Sequence, residues 1–192
     1  MSAKILVAGL GNIFLGDDGF GVEVARRLRS EPLARTVHVE DFGIRGVHLV
    51  YQLLDGYDAV ILIDAVARGG PPGTLYLLEP DIGGAKQGVA ADAHDMDPES
   101  VLHAVRALGG RIGRVLLLGC EVADTHEHIG LSDGVECAVP EAMRMIRNAI
   151  GDLFAAERIG DFDDAGARAG DPPSRPAQSR SASPAAARAK EE

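Results

Sequence analysis

The connection from Ala65 to Gly73 is nine residues long and contains Gly69-Gly70-Pro71-Pro72-Gly73. A crossover between parallel strands takes a dozen or more residues, normally with a helix among them. This segment is too short for that, so the run after it, Thr74 to Leu78, is predicted to lie antiparallel to the run before it, Ala59 to Ile63, and to the other strands. Three further runs have the length and β-branched content of buried strands: Ile5 to Ala8, Val37 to Asp41 and Val115 to Leu118. Helical periodicity fills most of the other gaps. Gly21 to Arg29 turns Val22, Val24, Ala25 and Leu28 inward and Arg26, Arg27 and Arg29 outward, and Gly46 to Leu54 places Val47, Val50 and Leu54 on one face. Helices are also predicted from Pro98 to Leu108, with Asp97 as N-cap and Pro98 first, and from Val139 to Ala155. Strand-helix-strand units with right-handed connections give an α/β fold. The expected architecture is three-layer α/β/α, with a mixed five-stranded sheet whose fourth strand is antiparallel.

Residues 1–160 have the apolar content of a single α/β domain, able to bury about 70% of the unfolded surface. From Asp161 the composition changes: residues 161–192 hold four of the ten prolines among Ser, Ala, Arg and Asp. Such a segment buries too little to offset its ordering entropy, and it is expected to be a disordered low-complexity tail. The net charge is −10, without basic patches to neutralise phosphates, which argues against nucleic acid as a partner. No run reaches the roughly 18 apolar residues of a membrane span. The polar start Met1-Ser2-Ala3-Lys4 leads straight into a strand rather than a signal peptide. Cys120 and Cys137 form neither a CxxC pair nor a disulfide framework. A cytoplasmic protein without membrane association is expected.

The first strand breaks into Gly9-Leu10-Gly11 and then Gly16-Asp17-Asp18-Gly19. The glycines suggest a nucleotide loop, but Phe14 stands where GxGxxG needs its third glycine, and two carboxylates would face the pyrophosphate. No organic cofactor is expected, and the glycines have a sufficient task in turning the backbone.

In such a fold a ligand sits beyond the carboxyl ends of the parallel strands, near the switch in strand order. Asp18 follows the first strand, Asp64 ends the third, and His94 lies in the loop Ala91-Asp92-Ala93-His94-Asp95-Met96-Asp97. Two carboxylates and an imidazole suit Ni²⁺, Zn²⁺, Co²⁺ or Mn²⁺ and leave coordination positions open. Each residue also has a structural reading. Asp18 caps the helix near Gly19, or Asp17 does so if Asp18 is a ligand. His94 by itself is an ordinary surface histidine. Asp64 is harder to explain away, because a carboxylate closing an apolar strand needs a partner. Cys120 beside Glu121 and Ser132 lie in no nucleophile motif, and Cys120 reads as a small buried hydrophobe. Asp124 to Ser132, with its His126-Glu127-His128, reads as a polar loop before the last helix.

Taken in order, several segments resemble the hydrogenase maturation endopeptidases: Gly11 to Gly21 as GNxxxxDDGxG, Asp41-Phe42-Gly43-Ile44-Arg45-Gly46, Ile63-Asp64-Ala65, Pro72-Gly73-Thr74, His94 and His128-Ile129-Gly130-Leu131-Ser132. The likeness covers roughly residues 4–155. It implies a hydrolase that removes a carboxyl-terminal extension from the large-subunit precursor of nickel–iron hydrogenase after nickel insertion. It also implies that Asp18, Asp64 and His94 are the metal-facing, catalytic residues, with the nickel supplied by the substrate. Some members carry glutamate where this chain has Asp18. Asp41 and the Gly43 to Gly46 loop are candidates for positioning the substrate peptide. A non-catalytic nickel carrier or checkpoint protein is the alternative that the same three residues would serve.

Overall fold

The computed structural model describes residues 3–80 and 98–167. Its elements in chain order are β1 (Ile5–Leu10), a short 3-10 turn (Gly16–Gly19), α1 (Phe20–Leu28), β2 (Val37–Gly43), α2 (Gly46–Leu54), β3 (Tyr57–Val66), β4 (Leu75–Leu78), α3 (Pro98–Ala107), β5 (Ile112–Glu121) and α4 (Asp133–Ala167). The five strands form one sheet in the order β2-β1-β3-β5-β4. β1 pairs parallel with β2 and β3, and β3 pairs parallel with β5. β4 runs antiparallel to β5, with Leu77 opposite Leu118, as the short glycine-proline connection predicts.

Alternation along the strands divides the core into two layers. Ile5 and Val7 of β1, Ile61 and Ile63 of β3, and Leu118 of β5 face Phe20, Val24 and Leu28 of α1 and Val135, Val139 and Ile146 of α4. Leu6, Ala8, Val60 and Leu62 face the other way, onto Leu49, Val50 and Leu53 of α2 and Val101, Leu102 and Val105 of α3. The result is the expected α/β/α arrangement. Ile61 and Leu62 are fully buried on opposite faces, so truncating either to alanine removes about 2–5 kcal/mol from one layer or the other.

Two helices depart from expectation. α2 has the expected ends, but its buried face is Leu49, Val50 and Leu53, while Val47 is 40% exposed and Leu54 lies at the margin. Apolar residues surround this helix, so two stripes satisfy the 3.6-residue repeat, and packing against α3 selects between them. α4 begins at Asp133 rather than Val139 and continues past Gly160 to Ala167, taking Pro140 into its interior. Proline there withholds one backbone donor, and burial of Val135, Ala138, Val139 and Ala142 along the same stretch offsets that loss. Asp97, His94 and residues 168–192 lie outside the described residues.

Candidate active site

The parallel strands end at one rim, where β1 connects outward to β2 on one side while β3 lies on the other. Asp18 and Asp64 meet the rim at this switch in strand order, the place such sheets reserve for ligands. Their placement depends on close backbone approach. A Cβ on Gly21 would lie 2.2 Å from the Ile63 carbonyl oxygen and 2.5 Å from that of Leu10, so the start of α1 rests directly on the ends of β1 and β3. Gly11 has φ 110°, and a Cβ there would come within 1.8 Å of the Asp18 carbonyl oxygen. These glycines bring backbones together, and no phosphate-binding role is needed to explain them.

Asp18 is half-buried, and its Oδ2 accepts the Asn12 backbone N–H at 2.6 Å. It does not cap α1, and neither does Asp17: neither the short turn nor α1 has a side-chain cap. Asp17 turns the opposite way and is fully buried. Its carboxylate accepts N–H groups from Ser132 at 2.6 Å, Ala123 at 2.8 Å and Asp124 at 3.0 Å, and the Ser132 hydroxyl at 2.9 Å. Burial pushes Asp17 toward protonation, and these four donors outweigh it, so its pKa lies below the ordinary value.

Asp64 stands within β3, which continues to Val66, and not at its end. It is, however, the first β3 residue beyond the pairing with β1, whose last partner is Ile63, and it lies opposite Gly119 of β5. β5 extends the strand past the point where β1 turns away, so losing one neighbour opens the site without ending the strand. Asp64 Oδ1 accepts the Ala65 N–H at 2.9 Å. Asp41 lies in β2 opposite Gly9, two residues before the strand ends, and Arg45 Nη2 reaches both its carbonyl oxygen at 2.5 Å and its Oδ1 at 3.3 Å. The arginine thereby ties down the Gly43 to Gly46 loop. His94 lies outside the described residues, and among those described no three His, Cys, Asp or Glu side chains gather as a metal site.

Glu121 is a buried rim carboxylate that the sequence reading passed over as a neighbour of Cys120. It is 3% exposed, and it accepts the Arg68 and Gly69 N–H groups at 2.8 Å each and the Tyr76 hydroxyl at 3.1 Å. Burial acts to raise its pKa, and the donors hold it below 4.5. A carboxylate ending an apolar strand was the available signal, the same one that drew attention to Asp64. Cys120 is fully buried, and burial, with Asp17 and Glu121 nearby, pushes its thiol up to about 12. It is therefore a neutral core residue and no nucleophile. Ser132 spends its hydroxyl on Asp17.

The Asp124 to Ser132 loop is polar, as expected, but it is fastened to the first turn. Gly16 N–H donates to the His128 carbonyl at 2.9 Å, and Asp17 N–H to that of Asp124 at 2.9 Å. Between loop and turn runs a groove of about 270 Å³ lined by Ile13, Gly16, Gly19, Ile129, Gly130 and Leu131, with Glu23, Arg26, Arg27 and Glu136 at its edge. Phe14, Ile44 and Ile129 are 60%, 68% and 75% exposed around the same rim. Neither Asp18 nor Asp64 lines this groove, but Gly16 and Gly19 of the turn that carries Asp18 do. Two partly exposed carboxylates at the rim can face a cation or hold a water.

The HycI family, hydrogenase maturation protease, matches residues 22–149. The chain is 31% identical over 155 residues to the hydrogenase expression/formation protein HupD of Rhizobium leguminosarum bv. viciae, covering 76% of this chain and 75% of that one. It is 30% identical over 149 residues to the hydrogenase 2 maturation protease of Escherichia coli, covering 77% and 90%. The maturating endopeptidase HybD from E. coli superposes with a TM-score of 0.65 at 26% identity, over 78% of this chain and 93% of that one. The hydrogenase 2 maturation peptidase from Thaumarchaeota archaeon SCGC_AB-539-E09 does so with a TM-score of 0.62 at 33% identity, over 77% and 98%. With sheet topology and sequence in agreement, this chain belongs to the hydrogenase maturation protease family and is an endopeptidase.

Proposed function

We propose that the peptide bond cut by this endopeptidase joins a short carboxyl-terminal extension to the nickel-loaded large-subunit precursor of a nickel–iron hydrogenase. Asp18, Asp64 and His94 recognise the nickel that the precursor already carries. The observation that carries this reading is the placement of Asp18 and Asp64 at the β1/β3 switch point, both partly exposed, with the turn that bears Asp18 lining a groove along the β5–α4 loop. Oxygen and imidazole donors suit Ni²⁺, and three of them leave room for ligands from the substrate.

Nickel belongs to the substrate here, and no organic cofactor takes part. In the proposed reaction the carboxylates bind and orient the loaded precursor, and one of them holds the attacking water and accepts its proton. An aspartyl-type, metal-dependent hydrolysis results, and cleavage waits for correct loading. Asp41, held by Arg45, positions the substrate peptide through the Gly43 to Gly46 loop. Among the described residues no helix is long and apolar enough to cross a membrane.

The test is to incubate the protein with nickel-loaded and with nickel-free precursor and to weigh the large subunit by mass spectrometry. Shortening of the loaded form alone is expected, with loss of cleavage in Asp18→Ala, Asp64→Ala and His94→Ala. Wild-type cleavage by all three variants refutes the site. Nickel binding with neither precursor shortened would identify a non-catalytic carrier or checkpoint protein instead.

A further inference from the structure

We infer that Asp17 and Ser132 are positioning residues: they clamp the β5–α4 loop to the first turn and thereby set where Asp18 points. This rests on the reading of Asp18 as a metal-facing carboxylate.

The turn that carries Asp18 is four residues long and lacks a side-chain cap. Its own backbone gives it little rigidity, and what fixes it comes from outside. Leu15 bridges to His128, and Gly16 and Asp17 donate their N–H groups to the carbonyls of His128 and Asp124. The Asp17 carboxylate then takes four donors, all from Ala123, Asp124 and Ser132, and none from its own turn or helix. A fully buried carboxylate with no cationic partner among these contacts is costly unless its oxygens are well bonded, and here both are. Only an ionised carboxylate fits such a ring of donors, because an amide would turn an NH₂ toward N–H groups.

The next residue faces the other way. Asp18 Oδ2 holds the Asn12 N–H at 2.6 Å, and Asp18 N–H donates to the Leu15 carbonyl at 3.1 Å. Asp17 and Asp18 are thus opposite ends of one rigid lever: the inner carboxylate grips the loop and the outer one is presented at the rim. Among the described residues Ser132 supplies the only side-chain donor to Asp17, and its carbonyl accepts the Glu136 N–H at the start of α4. The clamp therefore reaches from the long helix to the site, and releasing it tilts Asp18.

The experiment compares Ser132→Ala, Asp17→Asn, Ser132→Thr and Asp18→Ala, each with its melting temperature measured so that assays run well below unfolding. The rate of cleavage of nickel-loaded precursor is read alongside the Asn12 amide resonance by ¹H–¹⁵N NMR without substrate. The short Asn12–Asp18 bond shifts that proton downfield, and Asp18→Ala defines its position once the bond is gone. Ser132→Ala is expected to lower kcat about tenfold and Asp17→Asn about a hundredfold, as a misplaced catalytic group does. Both should move the Asn12 proton toward its position in Asp18→Ala, and Ser132→Thr should restore rate and shift. Should Asp17→Asn fail to fold, Ser132→Ala decides alone. The inference is overturned if folded variants leave the Asn12 proton in its wild-type position, whatever their rate. Wild-type cleavage by Asp18→Ala refutes the metal-facing reading instead, and the amide shift still decides the clamp.

Discussion

Two stretches of backbone leave the rim beside the switch point, the β1–α1 turn and the β3–β4 connection, and each is held by a buried carboxylate. In the first, Asp17 lies inside the turn and reaches out to gather a distant loop through Ala123, Asp124 and Ser132. In the second, Glu121 comes from the neighbouring strand β5 and reaches in, binding Arg68 and Gly69 of the connection and the Tyr76 hydroxyl. Each anchor has a partly exposed carboxylate near it in the fold: Asp18 adjoins Asp17, and Asp64 lies two residues before Val66, the β3 partner of Glu121. Each stretch thus has one carboxylate held by backbone and hydroxyl donors and one left partly exposed. The two anchors are not equivalent, because Asp17 adjoins Asp18 in sequence whereas Glu121 acts on Asp64 only through the strand pairing that sets Asp64 opposite Gly119.

The largest effect should come from the chemical pair itself. Asp18→Ala and Asp64→Ala should each lower precursor cleavage at least a hundredfold or so while leaving the melting temperature nearly unchanged, since half-exposed side chains contribute little packing. A large fall in melting temperature in either would show that structure and chemistry are not divided as described. Next comes Gly11→Ala, which puts a Cβ into the Asp18 carbonyl at a φ of 110°. It should destabilise by about 3 kcal/mol and also slow cleavage, seen as a lower urea midpoint together with a lower rate. Asp17→Ala should cost about 3 kcal/mol as well, because it strands buried donors of the β5–α4 loop. Amide exchange should accelerate at Ala123, Asp124 and Ser132 and remain slow at Arg68 and Gly69.

Glu121→Gln gives the mirror image and the smaller effect: faster exchange at Arg68 and Gly69, with the β5–α4 loop unaffected. It should also change acid stability. A carboxyl group whose folded pKa is depressed adds stability above its ordinary value, here 4.5, and loses it as the pH falls through the folded value. Wild-type protein should therefore weaken below about pH 4, and Glu121→Gln should flatten that acid limb, leaving the part due to Asp17. An unchanged acid limb would show that Glu121 is not ionised in the folded protein.

Much of this was legible without coordinates. Five strands, four helices and the antiparallel fourth strand follow from apolar run lengths and from a connection too short to cross over. Asp18 and Asp64 stood out as carboxylates where apolar strands give way. The face of α2 was not legible, because Val47, Leu49, Val50 and Leu53 satisfy the helical repeat in more than one rotation. Nor was the start of α4, because the burial of Val135 and Ala138 that carries the helix back to Asp133 comes from tertiary packing. The roles of Asp17 and Glu121 were hidden for a different reason. Every donor that satisfies them lies far off in sequence, from Arg68 and Gly69 for Glu121 to Ser132 for Asp17.

The sequence by itself therefore determined the order of elements, the direction of β4 and the existence of a carboxylate-bearing rim, since all three depend on local composition and chain length. Only the tertiary structure decided which of two adjacent aspartates faces the site. Asp17 and Asp18 are the same residue type in the same turn, and what separates them is the ring of donors that a loop more than a hundred residues away presents to one of them. Hydrogen bonds make burial of that carboxylate tolerable, and no local pattern records them.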